Sequence, residues 1–489
     1  MIPRSWWLDF KEVLRVLGGD RTRWYVLALV AMVILFAQAT RTRLTTDPIV
    51  YAGISRAIAD TGDYLTLRVA DELYYYKPPL GFWLAALSIK VFGPTPLAVT
   101  LFSRLFGLAS VLLTARLGAR LYGERIGWVA GLALVTSYIF MQASSTFRLD
   151  SMMIFGILVS FLAYFSEKKW APPVFYVGVT IAVLAKGPAG LLPLIVAPLH
   201  AYFYSDRSTW AKNIFRWLAW APILLLPLSW WIYLYWHDGS RPLSMIYNEL
   251  FRTRGGIKST FSSFWKIYFL QFSMIYWPWL PFAWFGAWTA SRSLWNREGD
   301  AQARFAAGFV LIWIGIVLAA CALKKAQYLR YIILALPAIS ILSAKAVVEI
   351  GREKMFDWLP GTVAVLAFIA VIFLACFPPP PVSSQSAEYA AMAEILNRRL
   401  PPKTPVSLLK LKPKRDKGVI LTRPEKGTSV FFFNRPIQLV SVNEVQERAK
   451  SERVTLLIRR GEARRIRELM PIEVLFAGTL HAVAEVRTP

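Results

Sequence analysis

Long apolar runs separated by short charged segments recur along most of the chain. They stand near 24–40, 97–118, 125–143, 150–166, 172–186, 189–205, 213–236, 263–290, 303–323, 327–347 and 358–377. Each has roughly the 17–25 residues a helix needs to cross a bilayer, which predicts about eleven spans. The first run ends in AQAT, as a signal peptide does. The stretch before it is long and carries Asp9, Glu12 and Asp20, so an uncleaved helix is expected. In the loop 41–96, the stretches Pro48 to Ala59 and Leu80 to Phe92 repeat apolar residues at helical spacing and predict helices along the membrane surface.

After the last run, Pro378 to Pro381 form a stiff linker. Beyond it, amphipathic-helix patterns (AEYAAMAEIL, EVQERAK, EARRIRELM) alternate with strand-like runs (KGVILT, SVFFFN, VTLLIR, EVLFAG). The expected fold class is mainly α: a polytopic transmembrane helical bundle with interfacial helices in the first outer loop and a small C-terminal α/β extramembrane domain. Its expected divisions are 1–377 (membrane domain, including 41–96), 378–385 (linker) and 386–489 (α/β domain).

Composition supports this reading. Of the 489 residues, 56% are hydrophobic and 18% charged, which excludes a disordered chain and an ordinary soluble enzyme. The net charge of +26 would suggest nucleic acid in a soluble protein. Here most Lys and Arg lie between apolar runs or in the C-terminal segment, so membrane topology and anionic lipid explain them, and no nucleic-acid partner is expected. Cys321 and Cys376 both sit in apolar runs, which excludes a disulfide framework.

Charge also orients the chain. Arg4, Lys11, Arg15, Arg21 and Arg23 precede the first run, and basic clusters mark every alternate loop thereafter, from Arg116, Arg120 and Arg125 to Lys345, Arg352 and Lys354. By the positive-inside rule these loops and the N-terminus are cytoplasmic. The opposite loops then face outward, and with an odd number of spans so does the C-terminal domain. They carry Asp47, Lys77, Asp150, Lys186, Arg252, Arg254, Lys324 and Lys325. Cations gathered on the outer face depart from the rule and call for an anionic ligand there.

Each of these residues has a structural alternative. Asp47, before Pro48, suits a helix cap as well as a carboxylate that orients or deprotonates an acceptor hydroxyl. Lys77, between three tyrosines and two prolines in YYYKPPLGFW, suits a snorkelling lysine or a rigidly placed ammonium for a lipid-linked phosphate. Arg148 and Asp150 in STFRLDSMMIF lie at a helix start, where Asp150 is a cap or a second carboxylate near the first. Lys186 in LAKGPAGLLP binds an anion or punctuates a helical hairpin. Arg252, Arg254 and Lys258, with Lys324, Lys325, Gln327 and Tyr328, are loop charges or parts of the same anion site. Asp47 and Asp150 could share a hard divalent ion, while His200, His237 and His481 make a zinc site improbable.

In order along the chain stand D…Y-A-x-I-x-R-x-I…KPP-L, F-x-R-L-F, R-L-D, L-A-K-G-P-x-G-L and K-K-x-x-Y-L-x-Y-x-L-x-L-P-A. This order, over roughly residues 20–350, resembles the bacterial lipid A aminoarabinose transferases and related protein mannosyltransferase-like enzymes of the GT-C glycosyltransferase fold. The resemblance implies transfer of a sugar from a polyprenyl-phosphate carrier to an envelope acceptor at the outer face of the cytoplasmic membrane. It makes Asp47 the key aspartate, Asp150 the second, and Lys77 the lysine on the donor phosphate. Lys186 matches the LAKGP lysine, and Lys324 or Lys325 with Tyr328 the late basic element near the carrier phosphate.

We expect Arg252 and Arg254 to join these phosphate-binding groups, and Tyr51, Tyr76 and Arg148 to position substrate. The family commonly has an acidic residue where this chain has Pro48, and often Glu where it has Tyr76, which counts against a metal-assisted mechanism. No cofactor is demanded beyond the polyprenyl-phosphate sugar, with a divalent metal left open. The expected partners are membrane lipid, that donor, and a glycolipid, glycan or protein acceptor. The alternatives are a protein O-mannosyltransferase-like enzyme, a lipid-linked sugar transporter and a non-catalytic scaffold.

Overall fold

A computed structural model describes residues 20–37, 39, 42, 44, 46–70, 72–204, 217–244, 247, 257–258, 261–296, 300–324, 326–351, 385–401, 404–409, 429–434, 437–459, 463–477 and 481–486. The chain divides into two compact units. One comprises Met1–Ala37, Tyr75–Gly81 and Phe102–Pro378, and the other Gln38–Tyr74, Phe82–Leu101 and Pro379–Pro489.

The first unit is helical, and its helices follow the apolar runs of the sequence. Pro96–Tyr122, Ala301–Leu323 and Leu329–Ile350 are long and apolar enough to cross a membrane. The run at 125–143 is instead a broken pair, Glu124–Thr136 and Tyr138–Ser145, bent by 67°. Ser137 makes the break: it is extended, and its hydroxyl donates to Leu134 O at 2.9 Å, competing with the helical ladder. The run at 189–205 opens as a 3-10 turn, Pro188–Leu191, before Pro193–Tyr204. The run at 358–377 lies outside the described residues, as do KGVILT and most of the 378–385 linker.

Two contacts hold this unit's helices close. Asp150–Tyr164 packs on Ala171–Lys186 through small residues four apart, Gly156 and Ser160 on one helix, Gly178 and Ala182 on the other. A Cβ at Gly156 would stand 2.5 Å from Gly178 O and 2.7 Å from Ala182 N, so only glycine permits the approach. Ser160 adds a hydrogen bond from its hydroxyl to Phe175 O at 2.8 Å. His200 is fully buried, with Nε2 3.0 Å from Phe305 O and Nδ1 2.9 Å from the Tyr164 hydroxyl. A carbonyl only accepts, so Nε2 carries the proton and Nδ1 accepts from tyrosine. The neutral ring thereby ties three helices together.

In the second unit the predicted interfacial helices are Asp47–Thr61 and Leu80–Phe92. The sequence pattern did not reveal the small hairpin between them, Arg68–Val69 with Glu72–Leu73. The C-terminal segment forms a five-stranded sheet in the order Ile437–Val440, Val406–Leu409, Val454–Arg459, His481–Val486, Ile472–Ala477. Its first three strands are parallel and the last two pairings antiparallel. The helices Gln385–Arg399, Val442–Arg448 and Ala463–Arg467 accompany it. Ser441 and Glu444 start the second of these with a reciprocal capping box.

One strand expectation fails. SVFFFN forms a π-helical turn, Ser429–Phe433, rather than a strand. The turn buries Phe431 and Phe433, stacks Phe432 on Tyr389 with ring centroids 4.7 Å apart, and presents Phe431 O to the Arg56 guanidinium at 2.5 Å. Aromatic packing thus overrides local β-propensity.

Candidate functional site

Asp150 begins one helix of the glycine-packed pair and Lys186 ends the other, and the two side chains meet. The Lys186 ammonium donates to Asp150 Oδ1, with the carboxylate side chain 6% and the lysine side chain 20% exposed. Asp150 is the first helical residue, and Leu149 takes the cap position. Of the two roles its position allowed, Asp150 is therefore not the cap, and its carboxylate is directed to lysine. A carboxylate at a helix start and an ammonium at a helix end also each lie where the macrodipole favours them.

The F-S-R-L-F motif fixes this geometry from behind. Ser103 donates its hydroxyl to Arg148 O at 2.9 Å, holding the R-L-D turn. The neighbouring Arg104 is 1% exposed. Its guanidinium donates to Leu35 O, in the last turn of Asp20–Phe36, and at 2.6 Å to Ser145 O, the last residue of Tyr138–Ser145. Helix ends leave carbonyls without intrahelical partners, and one arginine satisfies both. Sequence reasoning quoted this motif without assigning Ser103 or Arg104 a task.

The KPP segment lies against the same pair. A Cβ at Gly81 would collide with Leu149 Cδ2, so the K-P-P-L-G stretch runs directly over the residue before Asp150. Gly187 turns the chain after Lys186 at φ +82°, and a Cβ there would stand 3.9 Å from Pro78 Cγ. Lys77 is half-buried and within electrostatic reach of Lys186. Arg148 is within reach of Asp150, and Arg330 within reach of both partners. Lys186, Arg148 and Arg330 thus act on the Asp150 carboxylate, with Lys77 beside Lys186. Such a cluster suits a phosphate, and its arginines present the planar fork that phosphate oxygens match.

Arg330 is the residue sequence reasoning missed. Its guanidinium lies 4.9 Å over the Tyr328 ring, which lends the tyrosine a supporting role beside the cluster. The signal was available: an arginine two residues after Tyr328, inside an apolar run. Tyr328 is itself held, its carbonyl accepting from the Tyr268 hydroxyl at 3.0 Å. Just before it, Ala326–Gln327 pairs antiparallel with Ile257–Lys258, so the RTRGGIK and KKAQY loops join through their backbones. Lys324 points to another ring, 4.4 Å over Tyr331. Arg252, Arg254 and Lys325 lie outside the described residues.

Asp47 and Tyr51 belong to the second unit. Asp47 is the first helical residue after Thr46, exposed, with Pro48 behind it, so the cap position falls one residue earlier than its sequence suggested. Tyr51 is 6% exposed and packs edge-on against Phe82 at 5.3 Å and Tyr74 at 6.3 Å. Tyr76 is half-buried beside Lys77. Among the described residues, no group of three or more His, Cys, Asp or Glu could hold a metal ion. The surroundings of Asp150 do not fit one either, because its carboxylate is engaged by Lys186 and flanked by further cations.

With this geometry in hand, likeness to known proteins is informative. The model of the dolichyl-phosphate-mannose-protein mannosyltransferase family matches residues 76–233. The crystal structure of ArnT from Cupriavidus metallidurans bound to undecaprenyl phosphate superposes with a TM-score of 0.69 at 17% identity, covering 94% of this chain and 98% of that one. The fold is that of ArnT. It is the GT-C architecture that the motif order implied, and the chain resembles the aminoarabinose transferases. An Archaeoglobus fulgidus oligosaccharyltransferase gives a TM-score of 0.50 at 12% identity, covering 86% of this chain and 64% of that one.

In sequence, the undecaprenyl phosphate-alpha-4-amino-4-deoxy-L-arabinose arabinosyl transferase of Pseudomonas paraeruginosa is 25% identical over 344 residues, 66% of this chain and 60% of its own length. An uncharacterized protein of Aquifex aeolicus is also 25% identical, over 66% of this chain and 63% of its own. The chain thus spans about three fifths of the length of the curated relatives it matches.

Proposed function

We propose that the protein is an integral-membrane glycosyltransferase that moves a sugar from a polyprenyl-phosphate donor to an envelope acceptor at the outer face of the cytoplasmic membrane. The observation that carries this reading is the Asp150–Lys186 pair with Lys77, Arg148 and Arg330 around it. The undecaprenyl phosphate in ArnT and the arabinosyl transferase relatives support it from outside.

In the proposed reaction an acceptor oxygen attacks the sugar's anomeric carbon. The bond from that carbon to the phosphate oxygen breaks, and its electron pair stays on the departing polyprenyl phosphate. That leaving group is stable as an anion and needs no proton, so cations rather than an acid catalyse its departure. Lys77 and Arg330 bind the phosphate, while Asp150 holds Lys186 in place. Asp47 orients a hydroxyl acceptor and takes its proton. For a phosphate acceptor it only positions. The acceptor proposed is lipid A or another envelope glycan, with protein as the second reading because of the mannosyltransferase family match. We read the N-terminus as cytoplasmic, 1–377 as the membrane domain, and 386–489 as facing outward.

The test compares cells expressing the native chain with cells expressing Lys77→Ala or Asp47→Ala at equal membrane abundance. Lipid, polysaccharide and protein fractions are weighed by mass spectrometry. A sugar mass lost from one fraction establishes transfer and identifies the acceptor class. Unchanged fractions, in cells whose envelope still changes on gene deletion, would replace the enzyme by a transporter or scaffold.

A further inference from the structure

The helix that begins at Asp47 is held by a distant part of the chain. Within the second unit, Arg56 of Asp47–Thr61 donates from Nη1 to Phe431 O at 2.5 Å, across 375 positions of sequence. Arg56 is the arginine of the motif Y-A-x-I-x-R-x-I, which the linear pattern left without a task. Its Nε lies 3.4 Å from Asp60 Oδ2, so an in-helix carboxylate steadies the other edge of the guanidinium. The arginine side chain is 15% exposed and that of Asp60 49%, whereas Phe431 is buried. The carbonyl is thus the more enclosed of the two partners.

That carbonyl belongs to a rigid support. In the π-helical turn Ser429–Phe433, the Phe431 ring meets Phe432 edge-on at 4.9 Å, and Phe432 stacks on Tyr389. Phe433 enters the core that Tyr389, Met392 and Leu396 of Gln385–Arg399 form with Leu457 and Val483 of the sheet. The Tyr389 hydroxyl lies 3.1 Å from His481 Nδ1, at the start of a strand. Turn, helix and sheet are therefore one packed body, and a bond to the turn is a bond to the whole.

Arg56 follows Asp47 by about two and a half turns of helix, so the two project from opposite sides. Arg56 meets the turn while Asp47 is exposed. Tyr51, against Phe82 and Tyr74, anchors the helix near Asp47. Arg56 anchors it again further along. An apolar contact resists separation but tolerates sliding, whereas a hydrogen bond from a planar guanidinium to one carbonyl is directional. Held at both points, the helix is fixed in rotation as well as in place.

We infer that Arg56 is a positioning residue: through Phe431 O it makes the C-terminal sheet domain the support of the helix that presents Asp47 to the acceptor. This rests on the transferase reading, in which Asp47 orients that acceptor. Arg56 itself touches no substrate, and the donor phosphate is held by other residues.

The test combines hydrogen exchange, read by mass spectrometry on the full-length protein, with steady-state transfer. Arg56→Gln is expected to raise exchange in peptides spanning Asp47–Thr61 and Ser429–Phe433 together. It should lower kcat about tenfold or more and leave KM for the polyprenyl-phosphate sugar unchanged. Arg56→Lys, which keeps a charged donor, is expected to recover most of kcat. Because coupling is reciprocal, Phe432→Ala should also loosen Asp47–Thr61. Exchange in Asp47–Thr61 that is unchanged in both Arg56→Gln and Phe432→Ala would overturn the proposal. So would native kcat in Arg56→Gln, or a joint loss of unfolding temperature, kcat and donor affinity in Arg56→Gln and Arg56→Lys alike, which marks a general structural role. Coupled exchange in a native chain that transfers no sugar would leave the support of the helix standing and remove the transferase reading.

Discussion

Lys186 and Asp150 form an ion pair between the end of one helix and the start of another, across a glycine-lined crossing. Each is needed to keep the other's charge where it is. Removing one partner strands a nearly buried charge, at a cost of about 3–5 kcal/mol. Asp150→Asn and Lys186→Met should each lower the unfolding temperature in detergent, and the double variant should recover part of that loss while remaining inactive. A double variant no more stable than either single one would show that the two side chains are not coupled.

Lys77 is expected to act on the donor phosphate. Loss of one charge-assisted hydrogen bond is worth about 1.5–3 kcal/mol, so Lys77→Ala should reduce kcat/KM for a polyprenyl-phosphate sugar about ten- to hundredfold. Lys77→Arg should retain more of the rate than Lys77→Ala. Stability should change little, because Lys77 is only half-buried.

Arg330 and Lys324 separate what the structure adds from what the sequence suggested. Arg330 reaches the Asp150–Lys186 pair, whereas Lys324 sits over Tyr331. Steady-state kinetics should show Arg330→Gln losing activity about as severely as Lys77→Ala, roughly tenfold or more. Lys324→Gln should lose less. The reverse order would return the phosphate contact to the lysine.

Gly156 supports the site without touching a substrate. Gly156→Val would overpack the crossing and cost about 1–3 kcal/mol, displacing Asp150 from Lys186 as the helices part. Gly315, also helical, has nothing within 4 Å of an added Cβ. Gly315→Ala should leave stability equal or raise it by about 0.5–1 kcal/mol. Thermal unfolding of the two variants, side by side with transfer assays, distinguishes a packing effect from a general intolerance of lost glycine.

The apolar runs, the helices Asp47–Thr61 and Leu80–Phe92, and the positions of Lys77 and Lys186 were legible in the linear chain. Their signals are local: a helix repeats every 3.6 residues, and a lysine fixed by two prolines stands out among apolar neighbours. The motif order also carried the fold, because each motif marks a fixed place along the bundle.

Tertiary structure alone decided the partnerships. Nothing in LAKGP states that its lysine meets the aspartate of R-L-D, since that depends on Gly156 and Gly178 letting two helices close. Arg104 looks in sequence like one more basic residue, yet it caps two helix ends. Arg330 stands out inside its apolar run, yet the run does not say which charges it will meet, and the β-forming residues of SVFFFN turn instead to bury their rings. Periodicity records which face of an element is apolar. Which faces meet, and which charges are thereby forced together, is set by long-range packing that a one-dimensional pattern does not contain.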